Sequence, residues 1–310
     1  MYSELSNLIK KSNKIVLASH VEPDGDAIGS SLAFYIALKN LGKNVKIYNS
    51  SKTISNSYDF LPSFSKIKDI FPQNCDLLIT FDCGSFKRLG IEKGSYKVVN
   101  IDHHQSNELF GDLNIVEPSH PSTSSVVYKI LQNMDIKISK DIALCIYTAL
   151  AEDTNFFSDS TTNKEAFELA KNLVEHGADA ALVGKNLKNR KSLAFLRLQA
   201  MFIDTIMLKK DAQIAIGGID EKMLKKSGAL RYDAAHLADI LQSLATVKLS
   251  IFTMQMPKNI VKFSLRSDNI DVSKIATKYG GGGHKMSAGF SIDEDKKDLV
   301  IQEIVNGVNL

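Results

Sequence analysis

The chain has 310 residues, 38 Lys and Arg against 35 Asp and Glu, a net charge of +3 and 44% hydrophobic residues. This length is typical of about two domains, which can fold without disulfide or metal staples. The apolar content and the mixed charges exclude a disordered chain. The even charge balance argues against a protein that grips long duplex nucleic acid by its phosphates, because such contacts need an excess of basic groups.

Membrane and secretory classes are also disfavoured. No segment approaches the roughly 20 apolar residues of a membrane helix, and the N-terminus lacks a signal-peptide pattern. The cysteines Cys75, Cys83 and Cys145 lie in apolar sequence without CxxC spacing, which favours reduced, buried thiols. We therefore predict a soluble, cytoplasmic protein with no membrane contact.

The first half of the chain alternates short apolar runs with helical patterns. Predicted strands cover 14–19, 44–49, 75–81 and 96–101, and predicted helices cover 26–42, 122–134, 139–151 and 163–176. Continuous apolar strands that alternate with helices are typical of an open, mostly parallel sheet covered by helices.

The pattern changes after about Ala178. A long helix-favouring stretch predicts a connector, followed by strands at 201–208, 213–219, 247–256 and 260–266 and helices near 233–244, before residue 280 and at the C-terminus. The overall prediction is α/β: a domain with an open, mostly parallel sheet over 1–180, a helical connector over 181–205, and a smaller mixed α/β domain over 206–310.

Acids and imidazoles follow three predicted strands of the first domain, and one acid ends an apolar helix. They are His20, Asp24 and Asp26 after KIVLAS, Asp82 after CDLLITF, Asp102, His103 and His104 after YKVVNI, and Asp153 in IALCIYTALAEDT. Because ligands of open parallel sheets bind beyond the carboxyl ends of the strands, we expect these side chains at one rim.

So many acids in one place are unfavourable unless a cation neutralises them. Four carboxylates match two divalent metals, with His20 and one of the two DHH histidines as nitrogen ligands; the acids are Asp24, Asp26, Asp82 and Asp153. This donor set without thiolate suits Mn²⁺ or a similar cation. Two metals about 3.5–4 Å apart promote in-line displacement at phosphorus by a bridging hydroxide. Taken singly, Asp24 and Asp26 could instead cap a helix, and Gly25 and Gly29 could be turn glycines.

A second candidate site lies near the C-terminus. Successive glycines at 280–283 allow backbone N–H groups to converge on an anion, and Arg266 suits bidentate phosphate contact. The predicted phosphate site consists of Arg266, Gly281, Gly282, Gly283, His284 and Lys285. The alternative for the glycines is a flexible tether.

Several other residues have two interpretations each. Ser124 and Ser125 could reach substrate, although a helix N-cap is favoured. Nucleobase stacking competes with packing for the aromatic rings of Phe156, Phe157 and Tyr232. His236 lines a domain face or lies on the surface, and His120 and His176 are interpreted as structural.

The motifs resemble those of the DHH phosphoesterase superfamily. The segments HVEPDGDAIGSS, FDCGS, IDHHQSN and ALAEDTNFF are similar to its four motifs, and SLRS with GGGGHKMSAGF is similar to the associated DHHA1 domain. The resemblance runs from His20 to Gly289. In length and spacing the chain is most similar to the nanoRNase/pAp phosphatase branch, enzymes that hydrolyse very short oligoribonucleotides and 3′-phosphoadenosine 5′-phosphate (pAp).

The resemblance implies a role for each residue of the first site. His20 and Asp24 would bind one metal, the second would be held by Asp26, His103 and Asp153, and Asp82 would bridge them. His104 would face the scissile phosphate as a catalytic residue, while Asp102 would orient a histidine ring. Two residues depart from the family pattern: Asn155 replaces a frequent glycine, and Glu22 replaces a common asparagine.

We predict from these features a hydrolase, a Mn²⁺-dependent phosphodiesterase or phosphatase. Its partners would be short single-stranded oligoribonucleotides or mononucleotide bisphosphates, held by the second domain. The nearest alternative is a phosphodiesterase for linear or cyclic dinucleotides; a RecJ-like exonuclease and a family II pyrophosphatase are less favoured. A non-catalytic nucleotide-binding sensor is the alternative from another class. The sequence leaves the oligomeric state open, with a homodimer as one arrangement.

Overall fold

A computed structural model of the chain describes residues 1–158, 161–231, 234 and 237–308. The chain forms two compact units, the first covering Met1–Arg190 and the second beginning at Lys191. Within the described residues, no helix has the length and apolar character needed to cross a bilayer. The predicted boundaries at 180 and 205 stay predictions.

The first unit is built on a six-stranded sheet in which all pairings are parallel. Its strands are β1 (Ile15–Ser19), β2 (Val45–Tyr48), β3 (Ile67–Lys68), β4 (Leu77–Phe81), β5 (Lys97–Asp102) and β6 (Leu113–Val116). The spatial order is β3-β2-β1-β4-β5-β6. Since the chain runs outward in opposite directions from β1 and β4, their carboxyl ends border the switch point where such sheets bind ligands.

Over the described residues of the first unit, six α-helices accompany this sheet. They are α1 (Tyr2–Lys11), α2 (Gly25–Asn40), α3 (Thr123–Asn133), α4 (Lys140–Asp153), α5 (Lys164–Glu175) and α6 (Ala180–Gly184). Helix α2 is buried on nearly every side and packs against α4. A Cβ atom on Gly29 would lie 2.4 Å from the Cys145 carbonyl oxygen, so glycine permits this close approach. Gly25 and Gly29 are therefore helix-packing residues, and the turn interpretation is wrong.

The second unit is a mixed sheet in the order β11-β12-β10-β9-β8-β7, with β8 and β9 as its parallel pair. Its strands are β7 (Met207–Lys209), β8 (Ile214–Ile219), β9 (Leu249–Met256), β10 (Ile260–Arg266), β11 (Gly282–Gly283) and β12 (Ser287–Asp293). Its helices are α7 (Leu193–Ile203), α8 (Glu221–Ser227), α9 (Leu237–Gln242), α10 (Val272–Lys278) and α11 (Lys297–Gly307). The predicted α/β class and both sheet types are confirmed.

Alternating residues of β8 give this unit two apolar layers. Ala215 packs with α7, α8 and α9, whereas Ile214 and Ile216 pack with α10 and α11. The predicted strand over 201–208 is wrong in its first half, because α7 continues to Ile203. Phe195, Leu198 and Phe202 recur at helical spacing and bury one face, which favours helix over strand there.

Candidate metal centre

The predicted acids and histidines of the first unit meet beyond the strand ends. His20 follows β1, Asp82 follows β4, and Asp102 ends β5. Asp153 ends α4, whose packing against α2 brings it towards the residues that begin α2. The switch point of the parallel sheet thus carries the side chains that the sequence places there.

Seven of these side chains form three overlapping groups of possible metal ligands, in each of which the donor atoms lie within 4.8 Å of one another. The groups are His20, Asp24 and Asp82; Asp26, His103 and Asp153; and Asp82, His103 and His104. His20 Nε2 lies 3.6 Å from Asp82 Oδ2, and His103 Nε2 lies 3.2 Å from Asp153 Oδ2. Two of the three groups correspond to the ligand sets that the family resemblance implies, and the third adds His104 to Asp82 and His103.

Asp82 belongs to two of these groups and faces the histidines of both. Its Oδ2 faces His20, while its Oδ1 lies 4.0 Å from His103 Nε2 and 3.3 Å from His104 Nδ1. The Thr123 hydroxyl donates to Oδ1 at 2.9 Å. The backbone of Asp82 has a φ of 54°, a left-handed conformation that Asp tolerates better than most residues. This turn directs the carboxylate back over the end of the sheet.

Asp24 and Asp26 combine a structural role with a place in the centre. Asp24 is the N-cap of α2, its Oδ1 accepting from the Ala27 N–H at 3.0 Å, while its Oδ2 faces His20. Asp26 accepts from the backbone N–H groups of Thr123 and Ser124, at 2.6 and 2.9 Å. The N-terminus of α3 therefore fixes the Asp26 carboxylate, as its dipole favours.

Each histidine is oriented through Nδ1. The Nδ1 of His20 donates to the Val21 carbonyl at 2.8 Å, and that of His103 to the His120 carbonyl at 3.2 Å. Nε2 of both rings is thereby directed towards the carboxylates, as a metal-ligating imidazole requires. His104 differs in the partner of its Nδ1, which is a carboxylate and not a backbone carbonyl: Asp102 Oδ1 lies 2.8 Å away.

The electrostatics of the centre follow from burial and crowding. Burial and repulsion from Asp82 raise the pKa of Asp26 well above its ordinary value. The pKa of Asp82 is lowered, because its contacts with His20 and the charges of the neighbouring histidines outweigh the effect of burial. For His104, burial lowers the pKa, but Asp102 and Asp82 together raise it to about 9. The two carboxylates therefore favour the protonated form of His104.

The residues present fit a divalent cation. His103 Nε2 is buried and makes no hydrogen bond to any described residue, although Asp153 Oδ2 is 3.2 Å away. An imidazole nitrogen aimed at carboxylates without a hydrogen bond is suited to ligation. The oxygen and nitrogen donors, without thiolate, match Mn²⁺ and similar cations, and crowded acids are stabilised by a cation between them.

Sequence reasoning missed two supports of the centre. His120 orients His103 through its backbone carbonyl, and nothing in the sequence signals such a contact. Glu152 Oε1 accepts from the Gly25 N–H at 2.9 Å and from the Tyr58 hydroxyl at 2.7 Å. The position of Glu152 beside Asp153 in the fourth motif was the available signal.

The predicted phosphate-site residues of the second unit also lie together. Arg266 ends β10 and pairs with Ser287 of β12, and Ser287 exchanges backbone hydrogen bonds with His284. The Arg266 side chain lies 3.6 Å from Asp239 Oδ1. Gly282, Gly283, His284 and Lys285 are exposed, whereas Gly281 is partly buried. These residues form one corner of the sheet.

The remaining candidates are mostly structural. The N-cap of α3 is Ser122, so the expected capping role of Ser124 and Ser125 is wrong; both are buried in the first turn. Phe157 stacks on Phe167 with ring centroids 5.4 Å apart, whereas the Lys188 ammonium lies 4.2 Å from the Phe156 ring.

The histidine candidates outside the centre have separate outcomes. His120 lies between Glu117 and Glu165, and His176 Nδ1 contacts the Asn172 carbonyl. Tyr232 and His236 lie outside the described residues.

Both departures from the family pattern occupy left-handed backbone. Glu22 has a φ of 54° and its N–H donates to the Ser51 hydroxyl. Asn155 has a φ of 45°, followed by Phe156 at 56° and Phe157 at 61°. Asparagine tolerates this conformation best among these three residues, which accounts for the loop forming without glycine at 155.

Comparison with known proteins identifies the family. Residues 14–150 match the DHH family, N-terminal domain, and residues 213–308 match the DHHA1 domain. The first unit therefore contains a DHH domain and the second a DHHA1 domain. Together with the relatives of the chain, these domains identify the protein as a hydrolase acting on phosphoester bonds.

Relatives cover nearly the whole chain. It is 28% identical to the bifunctional oligoribonuclease and PAP phosphatase NrnA of Thermus thermophilus, over 95% of this chain and 89% of that protein. Its identity to the NrnA of Mycoplasma genitalium is 29%, over 95% and 93% of the two chains. The crystal structure of an exopolyphosphatase-related protein from Bacteroides fragilis is similar with a TM-score of 0.89 and 26% identity, covering 99% of this chain and 95% of that one.

Proposed function

We propose that this DHH protein is a Mn²⁺-dependent phosphoesterase that hydrolyses short oligoribonucleotides and pAp. The observation that carries the proposal is the cluster of overlapping ligand groups at the switch point of the sheet, in which Asp82 faces both His20 and His103. The similarity to NrnA proteins over 95% of the chain supports the substrate class. The proposal includes a cytoplasmic location.

Two cations would be held by two of these groups. His20, Asp24 and Asp82 would bind one, Asp26, His103 and Asp153 the other, and Asp82 would contact both. When bound, two divalent cations generate a nucleophile from water near neutral pH and neutralise charge on phosphoryl oxygens.

His104 supplies the proton that hydrolysis requires. One P–O bond forms to the oxygen of water, which gives up a proton to the solvent; the P–O bond to the leaving oxygen breaks, and that oxygen takes up a proton. Protonated His104, held at Nδ1 by Asp102, is the proposed donor through Nε2. Asp102 is in turn contacted by Asn107 Nδ2, so the ring is held in one orientation.

The glycines of the second unit support phosphate binding there. Gly280 and Gly283 have positive φ angles, and a Cβ on Gly281 would lie 2.2 Å from the Gly289 carbonyl oxygen. Gly282 is exposed, lacks a positive φ, and a Cβ there would meet nothing within 4 Å. Because the fold does not itself require glycine at 282, close approach of a phosphate to the backbone is the reason that the proposal gives for it.

The test is a substrate panel. The metal-depleted protein is resupplied with Mn²⁺ and offered pAp, a 2–5-mer RNA ladder, a 24-mer RNA and cyclic dinucleotides in parallel. We expect pAp and the 2–5-mers to be hydrolysed faster than the 24-mer. Asp82→Asn should lose about 10³-fold or more of this activity while staying folded, because Asn also tolerates left-handed backbone.

Other outcomes select the alternatives. Preferred turnover of cyclic dinucleotides would replace the proposal with a dinucleotide phosphodiesterase. Tight nucleotide binding without stoichiometric Mn²⁺ or turnover would identify a sensor. Full activity of Asp82→Asn would exclude the proposed mechanism. Gly282→Ala should raise the KM for pAp with unchanged stability, and an unchanged KM would remove Gly282 from the phosphate site.

A further inference from the structure

We propose that Arg88 binds a phosphoryl oxygen of the substrate at the His20 edge of the metal centre; this rests on the proposed phosphoester chemistry. Arg88 lies on the 3₁₀-helix Phe86–Leu89, in the loop that follows β4, and is exposed. Its backbone carbonyl accepts from the Val21 N–H at 2.7 Å. That hydrogen bond joins the loop to the segment that carries His20.

The Arg88 guanidinium reaches the centre without a carboxylate partner. Its Nη2 lies 3.0 Å from His20 Nδ1. Over the described part of the chain, no carboxylate oxygen lies within the 4.0 Å ion-pair distance of this group. Carboxylate partners are present for Arg190, Arg231 and Arg266. Among the described residues the exposed Arg197 also has no ion pair, but Arg88 is the one that contacts a residue of the centre. An arginine beside a cluster of acids that pairs with none of them is not explained by an ion pair of the fold.

The position of the ring proton on His20 gives a second reason why Arg88 needs another acceptor. Its Nε2 faces Asp24 and Asp82, so ligation through Nε2 requires the ring proton on Nδ1. That proton is donated to the Val21 carbonyl at 2.8 Å. A protonated Nδ1 cannot accept from Arg88, which leaves the guanidinium without an acceptor at this contact. A phosphoryl oxygen provides one, and the planar fork of arginine matches phosphate geometry.

The test compares two neutralised cations on one 3₁₀-helix. Arg88→Gln and Lys87→Gln remove the same charge from adjacent exposed positions. Metal content, the affinity for adenosine 5′-monophosphate (AMP) by calorimetry, and the KM for pAp are measured on the Mn²⁺-loaded proteins. We expect Arg88→Gln to bind Mn²⁺ normally, with AMP affinity and KM each about tenfold or more worse. Lys87→Gln should stay within about twofold of the wild type.

Each other outcome overturns the assignment. Equal AMP affinity of Arg88→Gln and the wild type excludes the phosphate contact and leaves the proposed function intact. Loss of Mn²⁺ from Arg88→Gln would make Arg88 a support of His20 and not a substrate ligand. A wild-type protein that binds Mn²⁺ but neither binds AMP nor turns over pAp excludes the proposed function, and the role of Arg88 with it.

Discussion

Some side chains of the candidate metal centre use one atom for a hydrogen bond of the fold and another to face the other proposed metal ligands. One oxygen of Asp24 caps α2 while the other faces His20, and one nitrogen of His103 contacts the His120 carbonyl while the other faces Asp153. The helix-cap and metal-ligand interpretations of Asp24 are therefore compatible. The sequence predicts which residues gather at the rim, but which atom does what depends on neighbours distant in the chain.

Glu152 gives the first prediction. Glu152→Ala removes the acceptor of the Gly25 N–H and of the Tyr58 hydroxyl, beside three proposed ligands. We expect Mn²⁺ affinity to fall about tenfold or more, as for supports of metal ligands. The free energy of unfolding should fall by about 1–3 kcal/mol, because two donors lose their partner. Calorimetric titration with Mn²⁺ and chemical denaturation measure the two effects.

Glu152→Gln is the matched control, because it retains a carbonyl oxygen as acceptor without the charge. We expect it to recover most of the Mn²⁺ affinity. Wild-type affinity in Glu152→Ala would contradict a positioning role.

At the scale of elements, the approach of α2 to α4 determines whether Asp153 reaches the centre. Gly29→Ala would place a Cβ 2.4 Å from the Cys145 carbonyl oxygen and 2.8 Å from Ala149 Cβ. We expect a loss of about 1–3 kcal/mol in the free energy of unfolding, in spite of the higher helix propensity of alanine. Urea denaturation measures it. The control is Gly184→Ala, because the helical backbone and open space there predict little change or a slight stabilisation. Equal stability of the two variants would contradict close packing of α2 against α4 at Gly29.

The contacts of Glu117 with helices α1 and α3 predict that the stability of the fold depends on pH. Glu117 accepts from the Tyr2 hydroxyl of α1, and its Oε2 lies 2.8 Å from Lys129 Nζ of α3. Although burial raises the pKa of Glu117, these hydrogen bonds lower it overall. A lowered folded-state pKa means that the contact contributes stability above the ordinary pKa of about 4.3, and that this stability is lost as pH falls through the lowered value.

Glu117→Gln should therefore be less stable than the wild type at pH 7, by about 1 kcal/mol. The difference should shrink as the pH falls below about 4. Denaturant unfolding at several pH values measures it. A difference of constant size across the series would show that the charge of Glu117 is not its source.

At the scale of the whole molecule, the net charge of +3 hides a local concentration of acids. Without divalent cations, burial and the charge of Asp82 disfavour the ionised form of Asp26, which a bound cation would stabilise. We expect the Tm to fall in chelator and to rise with Mn²⁺, with about 2.7 kcal/mol of stabilisation at a hundredfold excess over Kd. Asp82→Asn should gain much less, whereas Asp211→Asn, an exposed acid of the second unit, should respond like the wild type. A Tm of the wild type that does not change with Mn²⁺ would contradict the proposal that the centre binds this cation.

Local sequence patterns suffice to predict the α/β class, the parallel sheet and the acids and histidines at its rim. Strand periodicity is local, and the carboxyl ends of parallel strands must share one edge. The strand prediction over 201–208 was wrong in part, because an apolar run fits a strand or a helix until its buried face is known. The predicted cap of α3 was also wrong, because any of four consecutive Ser and Thr residues could serve as the N-cap.

Tertiary structure decided what depends on contacts between distant segments. It joined Glu152 to Gly25, aimed His103 through the His120 carbonyl, and brought Arg88 to His20. No local pattern encodes these contacts, because each arises only when separate loops meet over the sheet. The chain is nearly neutral in total, but the fold separates its charged groups. Acids gather at the candidate metal centre of the first unit, whereas Arg266 and Lys285 lie at a glycine-rich corner of the second.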